Sequence, residues 1–203
     1  MIHAPKSTAA ALCFIVITGS AAADLMWDED IDGDLSGDHL NPTQLYIQGM
    51  DNHVVFTTVG AEDNGGEQDR EYFTFTISEG YELASIVLDS FETEPVSNLG
   101  FIGVAAGAFF PTPPDAPDPT QLLGYALPGV ADVGNDILQA IGAGPGSQGF
   151  TGPLGAGTYS FWVQETGPST DSWDLNFVVA EVPAPGALAL LGLSGLATRR
   201  RRA

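Results

Sequence analysis

An acidic run near the N-terminus holds the residues best suited to chemistry. Residues 28–39 read Asp-Glu-Asp-Ile-Asp-Gly-Asp-Leu-Ser-Gly-Asp-His, so carboxylates recur at every second position around Gly33. Calcium takes six to eight hard oxygen ligands, and an acidic loop bent by glycine can supply them. The spacing matches the opening of an EF-hand loop. The candidate calcium ligands in this run are Asp28, Asp30, Asp32 and Asp34.

The same run departs from a complete EF-hand loop. Its twelfth position is His39, where the motif needs a bidentate glutamate, and Pro42 follows where a helix would have to begin. Two alternatives therefore stay open. The run is a solvated lead-in to the first strand, or calcium binds instead at a later turn that contains Asp63, Asn64, Glu67 and Asp69.

Signals for catalysis are few. His39 and His53 are the only histidines after residue 23, and no nucleophile motif lies near either of them. A carboxylate pair of the glycosidase kind has no predictive value among 26 acidic residues. We therefore predict that the protein is not an enzyme. Trp162 and Trp173 form either a platform for stacking sugars or, as is commoner for aromatic residues in strands, part of the core.

Charge is strongly segregated along the chain. All 26 acidic residues lie between Asp24 and Glu181, and Arg70 is the only lysine or arginine in that span. This charge excludes nucleic acid and anionic lipid as partners of the span. Cations, basic polymers and simple solvation remain as explanations for the acidity.

Strand patterns dominate the same span. The segment Glu71–Ile77 alternates cleanly, with Phe73, Phe75 and Ile77 on one face. The predicted strands cover residues 44–48, 53–59, 71–77, 82–91, 99–105, 157–165 and 172–180, and one short helix is predicted over 135–141. Many short strands joined by polar turns indicate one all-β domain over residues 24–181, an antiparallel β-sandwich of the jelly-roll kind.

Inward-facing residues can be assigned from the alternation. In the 157–165 strand we assign Tyr159, Phe161 and Val163 to the core, because Ser160 and Gln164 bracket the opposite face. A one-residue slip would exchange the two faces, so this assignment fixes the register of the strand.

The N-terminal 23 residues are typical of a secretory signal peptide. Lys6 supplies a positive charge, residues 9–18 are apolar and Ala21-Ala22-Ala23 offers small residues for cleavage. We predict a signal helix over residues 1–23 and cleavage before Asp24. Cys13 is the only cysteine and lies in this segment, so the exported protein has no thiol chemistry.

The C-terminal segment, residues 182–203, contains a turn, an apolar stretch and a cationic end. The residues concerned are Pro183, Ala184, Pro185 and Gly186 in the turn, an uncharged stretch to Ala197, and then Arg199, Arg200, Arg201 and Arg202. As a helix the uncharged stretch spans about 18 Å, which is short for a transmembrane helix in a hydrocarbon core of about 30 Å. We predict a short apolar helix that holds the chain at the membrane only transiently.

This C-terminal segment resembles the sorting signal of the PEP-CTERM family of bacterial surface proteins. Pro183-Ala184-Pro185 stands where that family has Pro-Glu-Pro, and the apolar stretch and terminal arginines follow in the family's order. The resemblance implies export, processing by an exosortase-like membrane enzyme, and a destination at the cell surface or outside the cell. It implies no activity.

The β-domain resembles the bacterial pre-peptidase C-terminal domain over residues 31–180. The matching pieces are residues 69–83, 154–163 and 173–177, in which an aspartate precedes an aromatic strand and a Gly-Thr-Tyr strand follows later. The resemblance implies a small β-sandwich of a kind that often binds polymers or calcium. We therefore expect a structural or adhesive protein of the cell surface or extracellular matrix. The alternative is a module that binds calcium or extracellular polysaccharide, with calcium as its only cofactor.

Overall fold

The computed structural model describes residues 24–61, 65–94 and 98–183. These residues form mostly β structure, with two short α-helices, α1 (Glu29–Asp32) and α2 (Leu138–Gly142). The strands are β1 (Asp24–Asp28), β2 (Thr43–Gln44), β3 (Asn52–Val59), β4 (Glu71–Ile77), β5 (Tyr81–Glu94), β6 (Gly100–Ala106), β7 (Gly124–Ala126), β8 (Gly157–Glu165) and β9 (Thr170–Glu181). Neither helix of the described part has the length and apolar character that a membrane crossing requires.

The strands form two mixed sheets. One has four strands in the order β1-β3-β9-β5, and the other has five in the order β2-β4-β8-β6-β7. Most pairs are antiparallel, but β1 pairs with β3 and β2 with β4 in parallel. The expectation of purely antiparallel pairing therefore needs correction at these two edges. The strands of a parallel pair cannot be joined by a tight hairpin, so a longer crossover connection links β1 to β3 and β2 to β4.

Aromatic side chains of both sheets meet in one apolar cluster. Phe177 of β9 makes edge-to-face contacts with Phe73 and Phe75 of β4 at ring-centroid distances of 5.7 and 5.1 Å, and with Phe161 of β8 at 5.1 Å. The predicted core residues share one buried apolar cluster with Phe177, whereas Tyr72 and Trp162 belong to a separate cluster. This division confirms both inward-facing sets: Phe73, Phe75, Ile77, Tyr159, Phe161 and Val163. We call this cluster the aromatic core.

The other face of the five-stranded sheet is also covered. Trp162 stacks on Tyr72 with ring centroids 5.7 Å apart and meets the edge of Phe110 at 5.6 Å. Trp162 is 4% exposed and Trp173 is 1% exposed, so both tryptophans belong to packed interiors. Consequently neither offers the open ring face that a sugar-stacking platform needs.

Element boundaries differ from the sequence prediction in a few places. Strands β1 and β7 were not predicted, β2 is shorter than predicted, and α2 begins at Leu138 rather than at residue 135. The Asp136 carboxylate accepts hydrogen bonds from the backbone N–H groups of Leu138 and of Ile86, each at 3.0 Å. Asp136 thus sets the start of α2 and also ties it to β5.

The predicted terminal segments lie outside the described residues. This applies to the signal segment 1–23 and to the sorting segment from Ala184 onward. That segment includes Pro185, Gly186 and the four arginines, Arg199, Arg200, Arg201 and Arg202. Val182 and Pro183 are described and follow β9, and the Val182 N–H donates a hydrogen bond to the Gly80 carbonyl at 2.8 Å.

Candidate metal centre

Each of three strands carries a buried carboxylate at one end of the aromatic core. Side chains alternate between the two faces of a strand, so residues two positions apart share a face. The buried acids follow this rule: Glu71 lies two positions before Phe73, Glu165 two positions after Val163, and Asp171 two positions before Trp173. Glu71 and Asp171 are 0% exposed and Glu165 is 1% exposed. We call this region the acidic end of the core.

Three carboxylates converge at this end. Glu29, Asp34 and Glu71 each present a carboxylate oxygen, and these three atoms all lie within 4.8 Å of one another. Oxygens that bind one calcium ion at about 2.4 Å can be separated by at most roughly 4.8 Å. The observed spacing is therefore compatible with a shared ion.

A compact turn after β1 presents the first two of these carboxylates. Asp28 caps α1 by accepting a hydrogen bond from the Asp30 N–H at 3.1 Å, and the Asp28 N–H donates to Asp32 at 3.0 Å. Gly33 ends the helix with a φ of 90°, a conformation that side chains with a Cβ disfavour. Asp34 then follows directly on the chain.

Hydrogen bonding also fixes Glu29. Its Oε2 accepts a hydrogen bond from the Thr57 N–H of β3 at 2.6 Å, which anchors the carboxylate against the four-stranded sheet. Glu71, by contrast, is the first residue of β4 in the five-stranded sheet. The three-carboxylate group therefore joins elements from both sheets.

Of the four predicted ligands, the structure brings only Asp34 into this group. Asp28 and Asp32 make hydrogen bonds within the helical turn, and Asp30 is exposed. In the alternative site proposed from sequence, Asp63 and Asn64 lie outside the described residues. Asp69 lies close enough to the group for its charge to raise the pKa of Glu71.

Sequence reasoning missed Glu29 and Glu71. The signal for Glu71 was available, because the alternation that assigned Phe73 and Phe75 to the core places Glu71 on the same face. A glutamate that continues an apolar face is a reason to look for a partner. No pattern singled out Glu29, since its role depends on how the turn after β1 meets β3.

Burial and mutual repulsion make the acidic end electrostatically unfavourable when it is charged. Burial, followed by the charges of Asp69, Asp34 and Glu29, raises the pKa of Glu71 to about 9. Burial raises the pKa of Glu29 to about 7, against the opposing effect of the Thr57 hydrogen bond. Burial and the Asp34 charge also raise the pKa of Asp69. Each shift shows that a proton or a cation is favoured here.

The protein itself supplies little compensation for these charges. Both carboxylate oxygens of Glu71 are buried and have no hydrogen-bond partner among the described residues. Arg70 is the only lysine or arginine in the described part of the chain, and it pairs instead with the exposed Asp115 at 3.5 Å. A buried charge left without compensation typically costs about 3–5 kcal/mol. Once ionised, the Glu71 carboxylate therefore lacks compensation from the protein, and either its own proton or an external cation can supply it.

A second group of candidate ligands lies on the solvent side of the four-stranded sheet. The His53 Nδ1 lies 2.7 Å from an Asp174 oxygen and 3.7 Å from an Asp89 oxygen. These side chains are 15%, 28% and 36% exposed, respectively. Water reaches all three side chains, and His53 Nδ1 contacts Asp174 directly. Partial burial still raises the pKa of Asp89, against the opposing effect of His53. His53 lies in β3, within the strand predicted over residues 53–59.

The three-carboxylate group offers only oxygen ligands, which suit calcium and other hard cations better than metals that prefer sulfur or imidazole. The exposed Asp34 and the buried Glu71 give the group a route from solvent to the interior. Searches against protein-family models, curated proteins and solved structures returned no match for this chain.

Proposed function

We propose that this chain is an exported, non-catalytic structural or adhesive protein whose β-domain binds calcium. In this proposal the two sheets pack face to face as a jelly-roll-like sandwich, and calcium joins them at the acidic end of the core. The cross-sheet contacts of Phe177 with Phe73 and Phe75 support the sandwich. The ion would hold α1 and β4 together, since Glu29 of α1 is hydrogen-bonded to β3 of one sheet and Glu71 belongs to β4 of the other.

One observation carries the calcium assignment. Glu71 is fully buried, both of its oxygens are unpartnered within the described residues, and one of them lies within 4.8 Å of oxygens from Glu29 and Asp34. Three carboxylates this close repel one another, which favours a proton or a cation between them. A proton can neutralise only one carboxylate, whereas a divalent ion can bind all three at once.

Calcium fits this site better than magnesium. Calcium accepts irregular oxygen ligation at 2.3–2.6 Å, whereas magnesium demands near-octahedral geometry and retains several waters. Calcium sites of extracellular modules work at about 10⁻⁴–10⁻³ M, which suits a secreted protein.

Thermal unfolding and calorimetry with four variants of the full chain test this function. Glu71→Gln and Asp34→Asn remove proposed ligands, while Glu79→Gln and Asp30→Asn are matched changes at exposed positions. Millimolar calcium should raise the Tm of the wild-type protein beyond sodium chloride at equal ionic strength. Glu71→Gln and Asp34→Asn should lose most of that rise and the controls should keep it. Equal responses to calcium and sodium chloride would overturn the proposal.

Export is the second part of the proposal. It is supported by the signal-like residues 1–23 and by the turn, apolar stretch and arginines of residues 182–203. An exosortase-like enzyme would process the C-terminal segment after transient insertion in the membrane. Intact mass of protein from the cell surface should show loss of Met1–Ala23. Retention of that segment would refute the signal peptide, and retention of Arg199–Arg202 would refute processing.

An adhesive role implies a partner outside the cell, for which extracellular polysaccharide is the candidate. Because Trp162 and Trp173 are buried, such a partner would have to bind through other surfaces. Pull-down with neutral and acidic glycans, with and without calcium, tests this role. Retention on a glycan matrix supports adhesion, and no retention on any of them leaves a purely structural function.

A further inference from the structure

We infer that the acidic end of the core binds a second divalent cation, through Glu165, Asp171 and Thr93. This inference rests on the proposed function, because the first ion would occupy the same end of the core. It adds a distinct set of ligands that neither the acidic run 28–39 nor the three-carboxylate group contains.

The second set consists of buried oxygens that lack partners. Glu165 Oε2, both carboxylate oxygens of Asp171 and the Thr93 hydroxyl have no hydrogen-bond partner among the described residues. The three side chains are 1%, 0% and 6% exposed. Unpartnered oxygens at this depth are rare in folded proteins, where buried polar groups are nearly always satisfied.

Strand register brings Asp171 and Thr93 together. Asp171 of β9 lies directly opposite Thr93 of β5 on one side and Thr58 of β3 on the other. Directly opposed residues of neighbouring strands have Cβ atoms about 4.5–5.5 Å apart. Thr58 Oγ1 accepts the indole N–H of Trp173 at 3.2 Å and so is not an unpartnered atom. The free oxygens of this row are therefore those of Asp171 and Thr93.

Glu165 approaches from the other sheet. It is the last residue of β8 and shares the core-facing side with Phe161 and Val163. Its Oε1 accepts a hydrogen bond from the Gln68 side-chain amide, which orients the carboxylate and leaves Oε2 unpartnered. The negative charge of Asp171 contributes to raising the pKa of Glu165 to about 7, after the larger effect of burial.

Six acidic side chains share this end of the core, and two of the buried ones belong to the second set. The acidic end holds the carboxylates of Glu29, Asp34, Asp69, Glu71, Glu165 and Asp171. The first calcium ion carries two positive charges. Its proposed ligands all come from the three-carboxylate group around Glu71. The charge of Asp69 contributes to raising the pKa of both Glu71 and Glu165, after the larger effect of burial. A second ion near Asp171 would neutralise the set that the first ion does not reach.

Access to the second set is separate from access to the first. Gln68 and Asp69 line an open polar cleft of about 660 Å³, together with Glu67, Arg70 and Asp115. Gln68 is also the residue that contacts Glu165. The Gln68 side chain therefore connects the lining of this cleft with the buried Glu165, whereas the exposed Asp34 belongs to the group around Glu71.

Native mass spectrometry and calorimetric titration of the full chain with calcium test the inference. After treatment with a chelator, the wild-type protein should bind two calcium ions. The Asp171→Asn and Glu165→Gln variants should each still bind one ion, and their affinity for the second ion should fall at least tenfold. Thr93→Val removes only a hydroxyl and provides a further variant if either charge change prevents folding. Glu92→Gln, an exposed neighbour on β5, should still bind two ions.

The outcomes separate this inference from the proposed function. A single ion that is lost in Glu71→Gln and retained in Asp171→Asn overturns the second site and leaves the first. A single ion lost only in Asp171→Asn supports the second set and overturns the assignment around Glu71. If no calcium binds at any concentration up to about 10 mM, which exceeds the weakest extracellular sites, both proposals fail.

Discussion

Phe75 and Glu71 lie on the same face of β4, four residues apart, and burial has opposite consequences for them. Phe75 is fully buried among Phe161 and Phe177, where removal from water stabilises the fold. Glu71 is equally buried, but its carboxylate loses hydration and gains no hydrogen bond among the described residues. The aromatic core therefore stabilises the fold unconditionally, whereas the acidic end does so only with a proton or cation.

The difference shows how one strand can serve two purposes. Burial at the aromatic core depends on shape and area, so solution conditions change its contribution little. Burial at the acidic end depends on charge, so calcium concentration and pH should set its contribution. A domain built in this way folds around its aromatic core and gains a condition-dependent connection at one end.

The largest effect is expected at the aromatic core. Phe75→Ala removes a ring that contacts Phe161 at 4.9 Å and Phe177 at 5.1 Å, and it should lower the free energy of unfolding by about 3–5 kcal/mol. Urea denaturation measures this loss. Phe109→Ala is the matched control, because Phe109 is 53% exposed and should cost far less. Equal losses for the two variants would mean that the inner face of β4 is misassigned.

A smaller effect, with a sign that depends on calcium, is expected at Glu71. Without calcium at pH 9, Glu71→Gln should raise the free energy of unfolding by about 1–3 kcal/mol, because it removes an uncompensated buried charge. With saturating calcium the same variant should be less stable than wild type. Denaturation curves in chelator and in calcium measure both values. Destabilisation under both conditions would indicate that Glu71 has a compensating partner within the protein.

The pH dependence should run opposite to that of most acidic proteins. Folding raises the pKa of Glu71 to about 9, and those of Glu29 and Glu165 to about 7, from 4.5. The folded state thus holds more protons than the unfolded state between these values. The stability that they contribute is complete below about pH 4.5 and is lost as the pH rises through 7 toward 9.

Denaturation in chelator at pH 5, 7 and 9 measures this trend. Stability should fall over the series, and Glu71→Gln should flatten the step between pH 7 and 9. Saturating calcium should weaken the trend in the wild-type protein, since the bound ion displaces the same protons. Stability that rises from pH 5 to 9 in chelator would contradict the raised pKa values.

Alternation in the sequence predicted much of the aromatic core. The positions of Phe73, Phe75, Phe161 and Val163 followed from a period of two, because a strand with one buried face has only one favourable register. The covering of the opposite face was not predicted. Trp162 is buried there by Phe110, whose position depends on the path of a proline-rich segment that has no periodicity.

The candidate site was less predictable because it depends on long-range contacts. Spacing alone suggested that Asp28, Asp30, Asp32 and Asp34 act together, as alternate positions of one loop. A short helix forms instead and uses Asp28 as its cap, which commits that side chain locally. Asp34 then meets Glu71, 37 positions along the chain, through the pairing of elements that no local pattern encodes.

The smallest effect is expected at the solvent-exposed group. His53→Gln should lower the free energy of unfolding by less than about 1 kcal/mol, because exposed ion pairs gain little over hydration. The His53 Nδ1 lies 2.7 Å from Asp174, which is 28% exposed, so water can replace the lost contact. Calcium affinity should stay unchanged. The three-carboxylate group and the group around His53 both contain clustered carboxylates and differ mainly in burial. The His53→Gln variant therefore tests whether burial decides where calcium binds. If His53→Gln weakened calcium binding as strongly as Glu71→Gln, clustering of charge rather than its burial would determine where the ion binds.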